Sequence, residues 1–163
     1  MRILIIALPR TGSTSLLYKL AKEFQIKAVF EPFDGTERES YNIKDDNVVV
    51  KTIICHHADN LSLSKNFDKI ILLSRKNFKE HLESHSFHVY FSKKKGYHSA
   101  NPYIYKTPPN DVVELCENDL IKWNSEIENL SKLLNVEISY YEDLFDIDSS
   151  ERLRLKEQKN KLI

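Results

Sequence analysis

Five short apolar runs, separated by segments of helical periodicity, organise the chain. Each run is rich in β-branched and aliphatic residues, and the continuous apolar character of the first is typical of a parallel strand that is covered on both faces. The runs occupy residues 3–7, 28–30, 48–54, 70–73 and 136–140. Because helical patterns stand between these runs, the sequence predicts an α/β fold with a mostly parallel central sheet flanked by helices.

Three segments are predicted to be helices, and two of them, the one after the first strand and 112–134, have apolar residues at helical spacing. The first is expected to begin near Ser13 or Thr14, with a hydroxyl as its N-cap, and the others span about 78–91 and 112–134. The basic, aromatic and proline-containing segment 93–109 is predicted to be a lid or substrate loop, and 146–163 is a charged C-terminal segment.

Length and charge restrict the function classes. A chain of 163 residues fits a single domain, residues 1–163, with one active site. The 24 basic and 24 acidic side chains cancel, so we expect neither nucleic acid nor an anionic membrane as a partner. The first apolar run stops at Pro9, and no apolar stretch reaches the ~20 residues of a membrane span. We therefore expect a soluble, intracellular protein without a signal peptide.

The segment after the first strand, residues 9–16 (PRTGSTSL), has the composition of an anion-binding loop. A strand, a short glycine-containing loop and a helix place backbone N–H groups and a helix dipole at one point, and Gly12 permits the tight turn. The loop also offers one forked cation and four hydroxyl groups: Arg10, Thr11, Ser13, Thr14 and Ser15. The alternative is an ordinary strand–turn–helix junction with no ligand.

This loop is not the P-loop of nucleotide kinases, because it lacks the second glycine and the lysine of GxxxxGK[ST]. It resembles the 5'-phosphosulfate-binding loop of sulfotransferases that use PAPS, 3'-phosphoadenosine 5'-phosphosulfate. The resemblance implies a P-loop NTPase-like sulfotransferase fold, PAPS as sulfuryl donor, adenosine 3',5'-bisphosphate as product and no metal. Residues 10–15 would then hold the 5'-phosphate and the departing sulfuryl group.

Three further segments resemble parts of the same family in the same order. Residues 70–84 are similar to its 3'-phosphate element, which carries Arg75 and Ser84 over as ligands, although the commonest register would place the serine at Glu83. Residues 30–33 (FEPF) resemble a segment of carbohydrate sulfotransferases, and the stretch from Trp123 to 141–144 (YEDL) resembles a late family motif. The family's glycine-containing nucleotide loop has no counterpart after residue 146.

The resemblance also implies a mechanism of in-line sulfuryl transfer, which depends on positioning and charge neutralisation. Glu31 would be the base for a hydroxyl acceptor, which the FEPF segment suggests is a carbohydrate, and Arg10 would stabilise charge on the leaving oxygen. Without the resemblance, Glu31 would be a capping or solvated carboxylate. Lys51 interrupts an apolar strand, and it either contacts substrate or extends to the surface.

Other patterns have competing interpretations. His81, His85 and His88 have helical spacing and form either a zinc-binding face or a solvated helix face, but HLESH is not the HExxH motif. The lysines and tyrosines of 93–106 also suggest single-stranded nucleic acid, which the zero net charge disfavours. Two alternatives to a sulfotransferase stay open: an inactive sulfotransferase-like nucleotide or anion-binding module, and a P-loop-like phosphotransferase. The sequence identifies neither the acceptor nor the oligomeric state.

Overall fold

A computed structural model of the protein describes residues 1–33, 46–95 and 107–144, with residues 91–95 described by their backbone alone. The strands of this part of the chain are β1 (Arg2–Ala7), β2 (Lys27–Phe30), β3 (Val48–Ile53), β4 (Lys69–Ser74) and β5 (Ile138–Tyr140). They form one sheet in the order β2-β3-β1-β4-β5, and every neighbouring pair is parallel. The predicted α/β fold is confirmed, with a sheet that is parallel throughout the described residues.

Helices cover both faces of the sheet. They are α1 (Ser13–Phe24), α2 (Asn60–Ser64), α3 (Phe78–Lys95), α4 (Asn110–Leu134) and α5 (Tyr141–Leu144), and a 3₁₀ turn, Ile54–His56, follows β3. Alternate residues of β1 face opposite cores, because side chains alternate along a strand. Ile3 and Ile5 pack with Leu17 of α1, while Leu4 and Ile6 belong to the core that includes α4.

Several sequence predictions need correction. The third strand ends at Ile53, and Ile54 begins the 3₁₀ turn; α2 was not predicted. The hydroxyl N-cap predicted for α1 is wrong: its N-cap is Gly12 in a left-handed conformation, without a side-chain cap hydrogen bond. Residues 93–95 of the predicted lid are helical. Residues 96–106 of that lid and the charged segment 146–163 lie outside the described residues.

None of the helices in the described ranges has the length and apolar character that crossing a bilayer requires.

Candidate functional site

The chemistry-bearing residues gather at the carboxyl edge of the sheet, where all five parallel strands end. β1 lies in the middle of the sheet, so the loop that follows it, residues 9–16, is flanked by the ends of β3 and β4. We call residues 9–16 the anion loop. Glu31 follows β2, and Arg75 follows β4. In open α/β sheets this edge is where ligands bind.

Two left-handed residues shape the backbone of the anion loop. Gly12 has φ 71° and Arg10 has φ 61°. Glycine adopts this conformation readily, whereas Arg10 carries a Cβ and incurs a strain of about 1 kcal/mol. The Thr11 hydroxyl is fully buried and donates a hydrogen bond of 2.7 Å to the Leu8 carbonyl. Its proton is used within the loop, so the Thr11 side chain supports the loop and is not available to an anion.

The N-terminus of α1 presents its backbone donors at this loop. The Leu16 amide makes the first helical hydrogen bond, to the Gly12 carbonyl at 3.1 Å. The amides of Ser13, Thr14 and Ser15 precede it and have no acceptor within the helix. Because no side chain caps this end, these amides and the helix dipole are directed toward solvent or a ligand. The missing hydroxyl cap thus suits an anion site.

Lys51 supplies a cation to this helix end from the neighbouring strand. It lies in β3 opposite Ile5 of β1, and its side chain is only 4% exposed. Its Nζ donates to the Thr14 hydroxyl at 3.2 Å, forms an ion pair with Glu31 and lies 4.2 Å from the centre of the Phe30 ring. Of the two interpretations of Lys51, extension to the surface is therefore excluded. The ammonium lies beside α1.

Glu31 is held in place by its backbone as well as by its side chain. It has φ 44°, and its amide donates to the Lys51 carbonyl at 3.0 Å. One carboxylate oxygen pairs with Lys51, while the other lies 4.0 Å from His56 Nδ1. The side chain is only 13% exposed, so Glu31 is not a solvated carboxylate. It stands between two nitrogen-bearing side chains, within reach of the anion loop.

Arg75 lies on the other side of the loop with two carboxylates around it. Its Nη2 is 3.5 Å from Glu80, its Nε is 3.5 Å from Glu142, and its guanidinium lies 5.1 Å from the centre of the Tyr141 ring. Partial burial and the nearby charge of Arg75 lower the pKa of Arg10 from its ordinary value. The positive charges of Arg10 and Arg75 repel each other, and an anion bound between them would reduce that repulsion.

Helix α3 contributes buried histidines instead of a solvated face. His81 is 1% exposed, and its Nε2 lies 2.7 Å from the Pro9 carbonyl. A carbonyl only accepts hydrogen bonds, so Nε2 carries the proton. Burial lowers the pKa of His81; the hydrogen bond to Pro9 opposes this, and the charge of Arg75 adds to the lowering. A neutral His81 therefore fixes the carbonyl that precedes Arg10.

His85 lies one turn further along α3, packed edge-on against Trp123 with ring centres 5.5 Å apart. Burial is the main cause that lowers its pKa to about 4, and the charges that His81 and His88 carry when protonated lower it further. The described ranges contain no group of three or more His, Cys, Asp or Glu that could hold a metal ion. His81 and His85 are thus buried, neutral side chains that pack inside the fold. Neither the zinc-ligand interpretation nor the solvated-face interpretation describes them.

Ser84 precedes His85 on α3 and is half-buried, whereas Glu83 is exposed. The position nine residues after Arg75 is therefore the more enclosed of the two that the family register allows. An open cavity of about 440 Å³ lies at the other side of Arg75, between β4, β5 and α4. Lys76, Phe78, Asn124 and Tyr140 are among the residues that line it.

The structure thus brings Lys51 and Glu31 together beside the N-terminus of α1, and it places the charge of Arg10 near Arg75 on the other side of the loop. Sequence reasoning left the role of Lys51 open and did not single out His81 as a support of the loop. The available signal for Lys51 was the presence of a lysine in an apolar strand. No sequence signal linked His81 to the loop, because Pro9 and His81 are 72 residues apart in sequence.

Comparisons of the chain with protein-family models, with curated proteins and with solved structures gave no match.

Proposed function

We propose that the protein is a sulfotransferase with a P-loop NTPase-like fold, which transfers a sulfuryl group from PAPS to a hydroxyl acceptor. One observation carries the proposal: the Lys51 ammonium meets the Thr14 hydroxyl and the Glu31 carboxylate beside the uncapped end of α1. Amides and a cation suit the phosphosulfate of the donor. A carboxylate beside them suits the proton of the acceptor.

The reaction in this site is an in-line displacement at sulfur. The acceptor oxygen forms a bond to sulfur while the bond from sulfur to the bridging oxygen of PAPS breaks, and adenosine 3',5'-bisphosphate leaves. Glu31 accepts the acceptor's proton. Negative charge grows on the bridging oxygen, where Arg10 and Lys51 stabilise it together with the amides of residues 13–15. No metal takes part in this scheme.

Arg75 and Ser84 would hold the 3'-phosphate of the donor. The two ion pairs of Arg75, each at 3.5 Å, are long compared with the roughly 2.7–2.9 Å of strong charge-assisted hydrogen bonds. A phosphate dianion can therefore displace Glu80 or Glu142 from Arg75. The cavity beside Arg75 offers adjoining space for the rest of a nucleotide. The FEPF resemblance makes a carbohydrate hydroxyl the first acceptor class to screen.

A second candidate is a sulfotransferase-like module that binds a nucleotide or anion without turnover. It is favoured by the ion pair between Glu31 and Lys51, which occupies the carboxylate that would act as base. A P-loop-like phosphotransferase gains one supporting observation as well. Lys51 delivers from β3 the cation that a nucleotide-kinase loop carries in its own sequence.

Calorimetric titration with adenosine 3',5'-bisphosphate, AMP and ATP–magnesium separates these candidates. The sulfotransferase proposal predicts a preference for the bisphosphate over AMP, and a loss of about tenfold or more in bisphosphate affinity in Arg75→Ala. Arg2→Ala is the matched control, because Arg2 pairs with Asp68 near the amino end of β1. Preference for ATP–magnesium would favour the phosphotransferase, and binding of no nucleotide would overturn the proposal.

Turnover distinguishes the enzyme from the binding module. If the bisphosphate binds, the protein is incubated with PAPS and a panel of carbohydrate, phenolic and alcohol acceptors, and release of the bisphosphate is measured. The proposal predicts release that depends on an acceptor and is lost in Glu31→Ala. Binding without turnover on any acceptor would support the module.

A further inference from the structure

The Lys51 ammonium is shared between the anion loop and a carboxylate. It contacts the Thr14 hydroxyl, on the second residue of α1, and the Glu31 carboxylate, on the residue after β2. The lysine side chain is 4% exposed and that of Glu31 is 13% exposed, so water screens this pair only weakly. The buried cation of the site is therefore already paired with an internal anion.

A bound donor must approach the same ammonium. Its 5'-phosphate would lie at the amides of residues 13–15, and the Thr14 side chain is 3.2 Å from Lys51 Nζ. The phosphate and the Glu31 carboxylate would then stand on two sides of one cation. Like charges repel strongly where water is excluded, so the two anions cannot share Lys51 without cost.

We propose that Glu31 is an internal counter-anion, which the incoming donor displaces from Lys51 and thereby converts into the base of the reaction. Without the donor, Lys51 neutralises Glu31. In the donor complex Lys51 pairs with the phosphate, and Glu31 is left to accept the acceptor's proton. The identity of the donor rests on the proposed function, whereas the competition for Lys51 rests on the contacts alone.

The backbone of Glu31 allows such an exchange. Its amide is fixed by the hydrogen bond to the Lys51 carbonyl, so the side chain can turn while the main chain stays in place. His56 Nδ1, at 4.0 Å from the second carboxylate oxygen, lies where it can receive the displaced side chain. Donor binding and activation of the base are thus coupled, and the site deprotonates an acceptor only when the donor is present.

Calorimetry on Glu31→Gln tests this competition with two probes, adenosine 3',5'-bisphosphate and inorganic phosphate. Removal of the competing charge is expected to tighten binding by about tenfold, the factor for about 1.4 kcal/mol. Glu23→Gln is the matched control, since Glu23 is an exposed carboxylate of α1, and its affinity should equal that of the wild type. If Glu31 instead organises Lys51 for the anion, Glu31→Gln binds equally or more weakly, which overturns the proposal.

A double-mutant cycle locates the effect at Lys51. In Lys51→Met, binding weakens, and the further change Glu31→Gln should then tighten binding by less than it does when Lys51 is present, because no ion pair has to open and only the direct repulsion between carboxylate and phosphate is removed. An equal tightening in both backgrounds would contradict competition for this ammonium. Lys51→Arg keeps the charge if Lys51→Met does not fold, and in that background Glu31→Gln should again tighten binding.

The outcomes keep this inference separate from the proposed function. Tighter phosphate binding by Glu31→Gln without a preference for the bisphosphate over AMP would support the competition and reject the sulfotransferase. A preference for the bisphosphate over AMP, together with bisphosphate and phosphate affinities that Glu31→Gln does not tighten, would support the sulfotransferase and reject the competition. Binding of neither probe by the wild type or by Glu31→Gln would reject both.

Discussion

The two cations that flank the anion loop are held in different ways. Lys51, on the β3 side, is almost fully buried and contacts the loop itself through Thr14. Arg75, on the β4 side, makes two longer ion pairs, to Glu80 and to Glu142. A buried pair in direct contact is part of the fold, whereas pairs at 3.5 Å with partly exposed partners are easily exchanged. The Lys51 pair is thus the more enclosed of the two arrangements, and the ion pairs of Arg75 are the more readily exchanged.

Lys51→Met should cause the largest loss of stability, because it removes the buried ion pair on the β3 side. It leaves Glu31 as an enclosed carboxylate without its cation, and loss of one partner of a buried pair costs about 3 kcal/mol. The free energy of unfolding, measured by urea denaturation, should fall by about that amount, and Lys51→Met/Glu31→Gln should recover part of the loss. Lys19→Met, at an exposed position on α1, is the control. Equal stability of Lys51→Met and wild type would show that this pair does not support the fold.

The β4 side should respond to acid through His85. Its pKa is about 4 in the folded protein and about 6.5 in the unfolded chain, so protons bind preferentially to the unfolded chain. The stability that a neutral His85 contributes is complete above pH 6.5 and is lost as the pH falls toward 4. The total loss is about 3 kcal/mol, at 1.36 kcal/mol per pKa unit.

Urea denaturation from pH 7 to pH 4 measures this loss. His85→Phe keeps an aromatic ring against Trp123 and removes the titrating group, so its stability should fall less steeply over that range than that of the wild type. His81 changes stability in the same direction, because burial also lowers its pKa. Identical slopes for wild type and His85→Phe would contradict a buried, neutral His85.

Substitution of His81 should reduce stability by a smaller amount. Two variants distinguish its hydrogen bond to the loop from its packing. His81→Phe leaves the Pro9 carbonyl without its donor, which costs about 1–2 kcal/mol, and we expect anion affinity to fall several-fold because Arg10 follows Pro9. His81→Gln retains an N–H donor and should restore most of the affinity for inorganic phosphate. If both variants bind phosphate as the wild type does, the hydrogen bond does not position the loop.

Arg75→Ala should have the smallest effect on stability, about 1 kcal/mol, because its ion pairs are long and their acidic partners are partly exposed. The same variant should lose nucleotide affinity. Arg75→Ala thus weakens binding with little loss of stability, whereas Lys51→Met reduces both. Denaturation and titration on one preparation of each variant measure both quantities. A stability loss in Arg75→Ala as large as that in Lys51→Met would remove the difference between the two sides.

The parts of the fold that the sequence predicted are those with local signals. The five strands are short runs rich in β-branched residues, and α1 and α4 have apolar residues at helical spacing, so neighbouring residues alone indicate these elements. The short helix α2 has five residues, too few for periodicity to indicate it. The N-cap of α1 was mispredicted because a nearby hydroxyl is the usual cap, while here Gly12 adopts the left-handed conformation.

The site was predictable where its residues are adjacent in sequence or directly follow a predicted strand, as Glu31 and Arg75 do. The anion loop is one continuous segment, and its place after β1 follows from the strand pattern. The pairing of Lys51 with Glu31 depends on β2 lying next to β3, and the link from His81 to Pro9 depends on how α3 packs. Periodicity does not fix either arrangement, since strand order and helix packing are set by the whole core.

A crystal structure of the protein with adenosine 3',5'-bisphosphate would test the central claim most directly. The account predicts the 5'-phosphate at the amides of residues 13–15, with Lys51 Nζ within hydrogen-bonding distance of it, the ion pair of Lys51 with Glu31 open, and the 3'-phosphate at Arg75. A nucleotide bound away from α1, or a phosphate at α1 with the ion pair of Lys51 and Glu31 intact, would contradict it.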